Sequence, residues 1–258
     1  MPEPSKYSVP NLERALHVFE LLSHHKEGLI VSQIAKELEV PRNSIFRICS
    51  TLREQGYIQY YRDTQQVTLT KKLFSIGYRA LADDNIVQLA HDPMRALRDD
   101  IKETVLIGTL LEKEGAVLEE ISGLHHFNFR VERGARFYLH CTAPGKAMLA
   151  HLSKAEQAKI VDSIELTRFN ENTITSKLKL IEQLDAIRQS GIAYDFAEQI
   201  MGCHCIAAPI MDQYGYPVAA IWITGPSSRL LIEDFPTLGA RVKQAADEVA
   251  LILGYKPA

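Results

Sequence analysis

Val40-Pro41-Arg42-Asn43-Ser44-Ile45-Phe46-Arg47-Ile48-Cys49-Ser50-Thr51-Leu52-Arg53-Glu54-Gln55-Gly56-Tyr57-Ile58-Gln59-Tyr60-Tyr61 is the stretch on which the fold turns. Pro41 pushes Val40 out of the helical region, so a helix starts at about Arg42. Ile45, Ile48, Cys49 and Leu52 form its apolar stripe. The helix runs to about Gln55, and Gly56 stops it. Tyr57 to Tyr61 and Gln66 to Leu69 then flank the polar turn Arg62-Asp63-Thr64-Gln65, a strand-turn-strand signal. Upstream, Leu12, Ala15, Leu16, Phe19 and Leu22 predict an amphipathic helix, and Gly28 breaks the chain. Ser32 is placed to cap a second short helix holding Ile34, Ala35 and Leu38. Two helices, a tight turn, a third helix and a hairpin are the order of a winged helix-turn-helix.

The outward face of the third helix carries Arg42, Asn43, Ser44, Phe46, Arg47, Ser50 and Thr51. Arginine pairs with guanine and asparagine with adenine in the major groove, while hydroxyls bond phosphates. Arg, Asn, Ser and Arg within six residues fit a recognition helix; a solvated surface helix is the competing reading. The candidate DNA contacts are Ser32, Gln33, Arg42, Asn43, Ser44, Phe46, Arg47 and Thr51, with Arg62 and Thr64 on the wing. The partner would be double-stranded operator DNA.

The charge balance agrees weakly. The first 85 residues carry 11 Lys and Arg against 10 Asp and Glu, in a chain of net charge -3. Any nucleic-acid contact must therefore come from a local patch rather than bulk charge. The 258 residues are 46% hydrophobic and 24% charged, which excludes disorder and fibre. No apolar run is long enough for a membrane span, and residues 1–10 lack the apolar core of a secretory signal. Four cysteines make no disulfide framework, so a reducing cytoplasm is expected.

Beyond the hairpin, Leu73, Ile76, Gly77, Ala80 and Leu81 predict a linking helix, and a helix from Ile86 to Ile101 follows. Strands are expected over Thr104 to Leu111 and Ala116 to Ile121, around a turn at Glu114-Gly115, and over Phe127 to Val131. Lys177 to Ser190 predicts a helix with Leu178, Ile181, Leu184 and Ile187 inward and Gly191 as its stop. Cys205 to Met211 and Val218 to Thr224 form another hairpin around Asp212-Gln213-Tyr214-Gly215, and a helix through Phe235, Leu238, Val242, Ala245 and Val249 closes the chain. The class is α+β with an antiparallel sheet.

The chain resembles the IclR family of bacterial transcriptional regulators along nearly its whole length. The head matches through Leu12-Glu13-Arg14-Ala15-Leu16, Val31-Ser32-Gln33-Ile34-Ala35 and Val40 to Arg47. The remainder matches through His140 to Ala147, Gly191-Ile192-Ala193-Tyr194-Asp195, Cys205 to Pro209, and Thr224-Gly225-Pro226 with Arg229. The resemblance implies a winged helix-turn-helix over residues 8–70, a linker helix over 71–90 and a GAF-like effector-binding domain over 91–258. It implies a homodimer or dimer of dimers acting on a catabolic operon, with no enzymatic activity and no cofactor. It also implies an effector site at Ala143, Pro144, Gly145, Asp195, Cys203, Cys205, Trp222 and Thr224, with Phe129 and Phe137 as apolar walls. A small organic acid with an apolar or aromatic body is the expected effector, because a helix N-terminus favours a carboxylate and Trp222 stands where a small polar residue is often found. Asp195 would then face a hydroxyl or amine of the ligand.

Two other classes stay in view. His140, Cys141, Cys203 and Cys205 are a mixed set of the kind that binds zinc, although Cys-x-Cys lacks the usual gap and strand alternation sends His204 to the other face. No metal is expected on that ground. Cys141 or Cys205 with a histidine and Asp195 would be the parts of a nucleophile site in a small-molecule enzyme. No Gly-x-Ser-x-Gly, P-loop or dinucleotide motif is present.

Overall fold

The computed structural model describes residues 9–61, 63–73, 75–76 and 86–256. They fall in two compact units, Met1–Asp84 and Asn85–Ala258. Arg62 and most of the expected linker helix lie outside the described residues.

The first unit is three helices and a small sheet: α1 (Pro10–Ser23), β1 (Leu29–Ile30), α2 (Val31–Glu37), α3 (Arg42–Glu54), β2 (Ile58–Tyr60) and β3 (Gln66–Leu69). The α3 stripe is as its sequence reads, with Ile45, Ile48, Cys49 and Leu52 all buried. The α1 stripe is rotated from its expected phase. Val18 and Leu22 are buried, while Leu12 and Leu16 are 59% and 50% exposed. Both faces of α1 carry apolar residues, so periodicity alone did not choose between them. Ser32 is not the cap of α2. Gln33 Oε1 accepts from the Ile30 N–H at 3.0 Å, so the cap is supplied from inside the helix. Two residues of β1 also join the wing, in the order β1-β3-β2.

The second unit is a six-stranded antiparallel sheet ordered β6-β5-β4-β9-β8-β7. Its strands are β4 (Thr104–Leu111), β5 (Glu114–Ile121), β6 (Arg136–Phe137), β7 (Ala193–Phe196), β8 (Cys203–Met211) and β9 (Pro217–Pro226). Helix α4 (Ile86–Ile101) and the closing helix α8 (Phe235–Ile252) cover one face over Val105, Ile107, Ile206, Ala208, Ile221 and Ile223. Helices α5 (Ala143–His151), α6 (Lys154–Ser163) and α7 (Lys177–Ser190) belong to a second core with Leu106, Ala207, Ala220 and Trp222 on the other face. Odd and even strand positions thus serve two separate cores.

Three expectations need correction here. The β4–β5 turn falls at Glu112-Lys113, since Leu111 pairs with Glu114; Gly115 lies within the strand and pairs with Phe137. Phe127 to Val131 is not a strand, and the Phe129 carbonyl instead accepts from Thr104 Oγ1 at 2.8 Å. On α7, Leu180, Leu184 and Ile187 are buried, whereas Leu178 and Ile181, both expected inward, are 75% and 38% exposed.

Candidate functional site

In the first unit, Arg42, Asn43, Phe46, Arg47 and Thr51 are exposed together on one side of α3, with Ser44 half-buried beside them. The buried stripe on the opposite side fixes that phase. Phe46 is 61% exposed, so its ring is presented on the same face as the polar candidates. Thr51 Oγ1 donates to the Arg47 carbonyl at 3.1 Å, leaving its lone pairs outward. Ser32 and Gln33 are exposed at the start of α2, and Thr64 is exposed at the wing tip. The wing is stiffened by Tyr60 Oη donating to Gln65 Oε1 at 2.7 Å and by the Gln65 N–H donating to the Tyr61 carbonyl at 2.8 Å.

In the second unit, strand register lines up the polar candidates. Thr104 pairs with Thr224, Thr224 with Cys205, and Cys205 with Asp195. Two residues along, Leu106, Trp222, Ala207 and Ala193 form a parallel apolar row on the same face. The sequence reading anticipated three members of the polar row and missed Thr104. Phe137 packs against Trp222 with ring centroids 5.5 Å apart and planes at 65°. Gly108 makes room for this pair, because a Cβ there would sit 3.0 Å from both rings. Phe129 is placed elsewhere: its ring pairs with Phe127, at 6.0 Å.

Helix α5 lies over β8, β9 and β7. The Thr142 hydroxyl caps it by accepting from the Gly145 N–H at 3.3 Å. Pro144 has no N–H to offer, and that of Gly145 is taken up by this cap. Gly145 serves packing instead. A Cβ on it would lie 2.5 Å from Leu139 Cα and 2.8 Å from the Tyr138 and Leu139 carbonyl oxygens. Backbone cannot yield as a side-chain tip can, so Gly145→Ala is expected to cost about 1–3 kcal/mol in urea unfolding. Wild-type stability in that variant would refute the close approach.

Below α5 lies a charge cluster that the sequence reading missed. Lys146 is fully buried, and its Nζ bonds Glu198 Oε1 and, at 3.2 Å, Gln183 Oε1. The Glu198 N–H donates to Asp195 Oδ1 at 2.8 Å. Glu198 Oε2 is buried with no hydrogen-bond partner. A lysine inside Ala-Pro-Gly-Lys-Ala-Met-Leu-Ala is the signal that was available, since a buried ammonium demands an acid. Burial pushes Asp195 up to about 7, opposed by the Glu198 amide bond. The two thiols beside it both touch the Thr224 hydroxyl, Cys203 Sγ at 3.2 Å and Cys205 Sγ at 3.3 Å. Hydrogen bonding from Cys205 draws Cys203 below its ordinary value, and that contact together with burial raises Cys205.

The rival chemistries do not assemble. His140 Nε2 is 3.0 Å from the Thr167 carbonyl oxygen, and His204 Nδ1 is 2.8 Å from that of Leu230. Among the described residues no group of three or more His, Cys, Asp and Glu is placed to hold a metal. Burial pushes the Cys141 thiol up to about 12, far from a working nucleophile.

Comparison with known proteins agrees with this architecture. Residues 11–61 match the IclR helix-turn-helix domain, and residues 78–251 match the bacterial transcriptional regulator IclR C-terminal domain. The chain is 29% identical over 248 residues to the HTH-type transcriptional regulator KdgR of Escherichia coli K12, covering 96% of this chain and 94% of the relative. The crystal structure of the Thermotoga maritima IclR superposes with a TM-score of 0.74 at 27% identity, over 95% of this chain and 99% of that one. An IclR homologue from Microbacterium hydrocarbonoxydans, solved in complex with 4-hydroxybenzoate, shares the fold with a TM-score of 0.82 at 20% identity, over 95% and 99% of the two chains. With both domain signatures present in order, the second spanning more than half of the sequence, the protein belongs to the IclR family of DNA-binding transcriptional regulators and is not an enzyme.

Proposed function

We propose that this regulator acts as a homodimer on a catabolic operon and is controlled by a small organic acid with an aromatic body, bound between α5 and the sheet. The observation that carries the reading is the row of buried Thr104, Thr224 and Asp195 and half-buried Cys205 lying directly beside the Trp222–Phe137 pair. Polar groups at one end and aromatic rings at the other match a carboxylate-bearing ring. Ala143, Pro144 and Gly145 form the roof, Cys203 extends the polar end, and Phe129 contributes through its backbone to the sheet margin rather than through a ring wall. Among the DNA-contact candidates, Arg42, Asn43, Phe46 and Arg47 read the major groove, while Ser32, Gln33, Ser44, Thr51, Arg62 and Thr64 hold phosphates.

Val9, Leu12 and Leu16 leave an exposed apolar strip along α1, which a second copy would cover. Footprinting on upstream DNA should show two half-sites one or two helical turns apart; a single asymmetric half-site would refute the dimer. The effector class is tested by calorimetry of the full chain with glyoxylate and pyruvate in one series and benzoate and 4-hydroxybenzoate in the other. The aromatic acids should bind, and Trp222→Ala should weaken them roughly two- to tenfold through loss of a ring contact worth about 0.5–1.5 kcal/mol. If the small keto acids bind and the aromatic ones do not, Trp222 is a core residue and the aromatic assignment falls.

A further inference from the structure

Three buried groups set the charge of the site. Asp195 is 4% exposed, Glu198 2% and Lys146 0%. Two carboxyls therefore share a single ammonium away from water, and that ammonium is bonded to Glu198 and Gln183 rather than to Asp195. The groups facing Asp195 from each packed element are Glu198 in the turn after β7, Lys146 on α5, Cys141 before α5, Cys203 and Cys205 on β8, and Thr224 on β9. Of these only Lys146 is a cation. Cys141 is held neutral by its burial.

Full ionisation would leave one uncompensated negative charge in a low-dielectric interior, and a carboxylate effector would make it two. A single proton on Asp195 removes the first and leaves the bound site with one negative charge, which the acid proton itself can bond. An ionised carboxylate only accepts hydrogen bonds, whereas the acid form also donates one, and O–H to carboxylate bonds are among the strong ones. Asp195 Oδ1 accepts from the Glu198 N–H and the Cys205 thiol also bonds the carboxyl, so the proton is assigned to Oδ2, the oxygen without the amide contact.

Resting on the effector reading above, we infer that Asp195 is a neutral carboxylic acid in the free protein below neutral pH and donates its proton to the carboxylate of the effector, so that binding above neutral pH takes up a proton from solvent. The proton stays within the Asp195–effector bond, and no other bond is made or broken. This replaces the sequence expectation that Asp195 faces a hydroxyl or amine. Donation places the ligand's acid group at the polar row and its ring towards Trp222.

The sign of the pH dependence follows. Asp195 titrates at about 7 in the free protein. Below that pH the donor is already in place and affinity is flat. Above it each unit of pH costs up to about tenfold in affinity, and uptake rises towards one proton. The effector carboxyl is ionised throughout, having an ordinary value of about 4.

The experiment uses the full chain, with benzoate and 4-hydroxybenzoate as probes, between pH 6 and pH 8. Calorimetry is run in two buffers of different ionisation enthalpy. Uptake should be small at pH 6 and approach one proton at pH 8, with affinity falling several-fold to tenfold. Asp195→Asn keeps a donor, so it should bind the acids with no uptake and a flat pH profile. Infrared difference spectra of wild type against Asp195→Asn without ligand, at pH 6, should show one protonated carboxyl. If that band is missing, Asp195 is ionised and the inference is overturned whatever binds. If wild type takes up no proton, or if uptake persists in Asp195→Asn, donation by Asp195 is overturned. If the band is present and no acid binds, the effector reading fails, and donation to a ligand fails with it.

Discussion

Glu198→Ala is expected to cost the effector domain about 3–5 kcal/mol, the usual loss when one partner of a buried ion pair is removed. The reason is local. Helix α5 brings Lys146 beneath the loop before it, where seven of its other residues are buried as well. The fully buried ammonium then loses its one carboxylate partner, and the amide oxygen of Gln183 offers only a neutral acceptor. Asp195 is the nearest remaining carboxyl, so its ionisation should return part of the loss as pH rises. Removing both charges with Lys146→Met and Glu198→Leu should recover most of the stability, because desolvation largely cancels the attraction in such pairs. Urea unfolding followed by circular dichroism measures all three proteins. A single variant within about 1 kcal/mol of wild type would mean the pair is hydrated and the cluster loose.

Arg47→Ala should weaken operator binding by about 1–3 kcal/mol, roughly five- to 150-fold, if the guanidinium reads a base. It lies in the middle of the exposed α3 face, between Asn43 and Thr51. Gel shifts across a salt series separate two roles. A base contact leaves the salt slope unchanged and relaxes the preference at one position, whereas a phosphate contact lowers the slope by about one and weakens every sequence alike. Arg241, ion-paired with Asp100 in the effector domain, is the control, and Arg241→Ala should leave DNA binding alone. Unchanged affinity in Arg47→Ala would remove α3 as the reading element.

The elements most legible in the sequence are those where one apolar stripe has no competitor. Helix α3 is the clearest, since Ile45, Ile48, Cys49 and Leu52 are its large aliphatic and thiol residues apart from the solvent-facing Phe46. Helices α1 and α7 carry leucines on more than one face, so Leu16 and Leu178 were expected inside although tertiary packing leaves them outside. Helix α6 gave no stripe and was missed; only Gln157 and Val161 are buried on it. The polar row was largely readable because motif residues and strand alternation agree, but Thr104 enters it through pairing with β9, a contact 120 positions away in the chain. Lys146 and Glu198 are 52 residues apart, and nothing in local pattern joins them.

The row of Thr104, Thr224, Cys205 and Asp195 crosses four adjacent strands, three consecutive in the chain and the fourth, β4, from a distant part of it. An effector seated on it would act as a transverse staple on the whole sheet, and its grip would be lost in any unfolding that separates those strands. Occupancy is then readable as heat resistance. A ligand at a hundred times its dissociation constant adds about 2.7 kcal/mol to the folded state. The melting temperature of the purified protein, scanned against a shelf of organic acids, would therefore pick out the natural effector before any promoter is known.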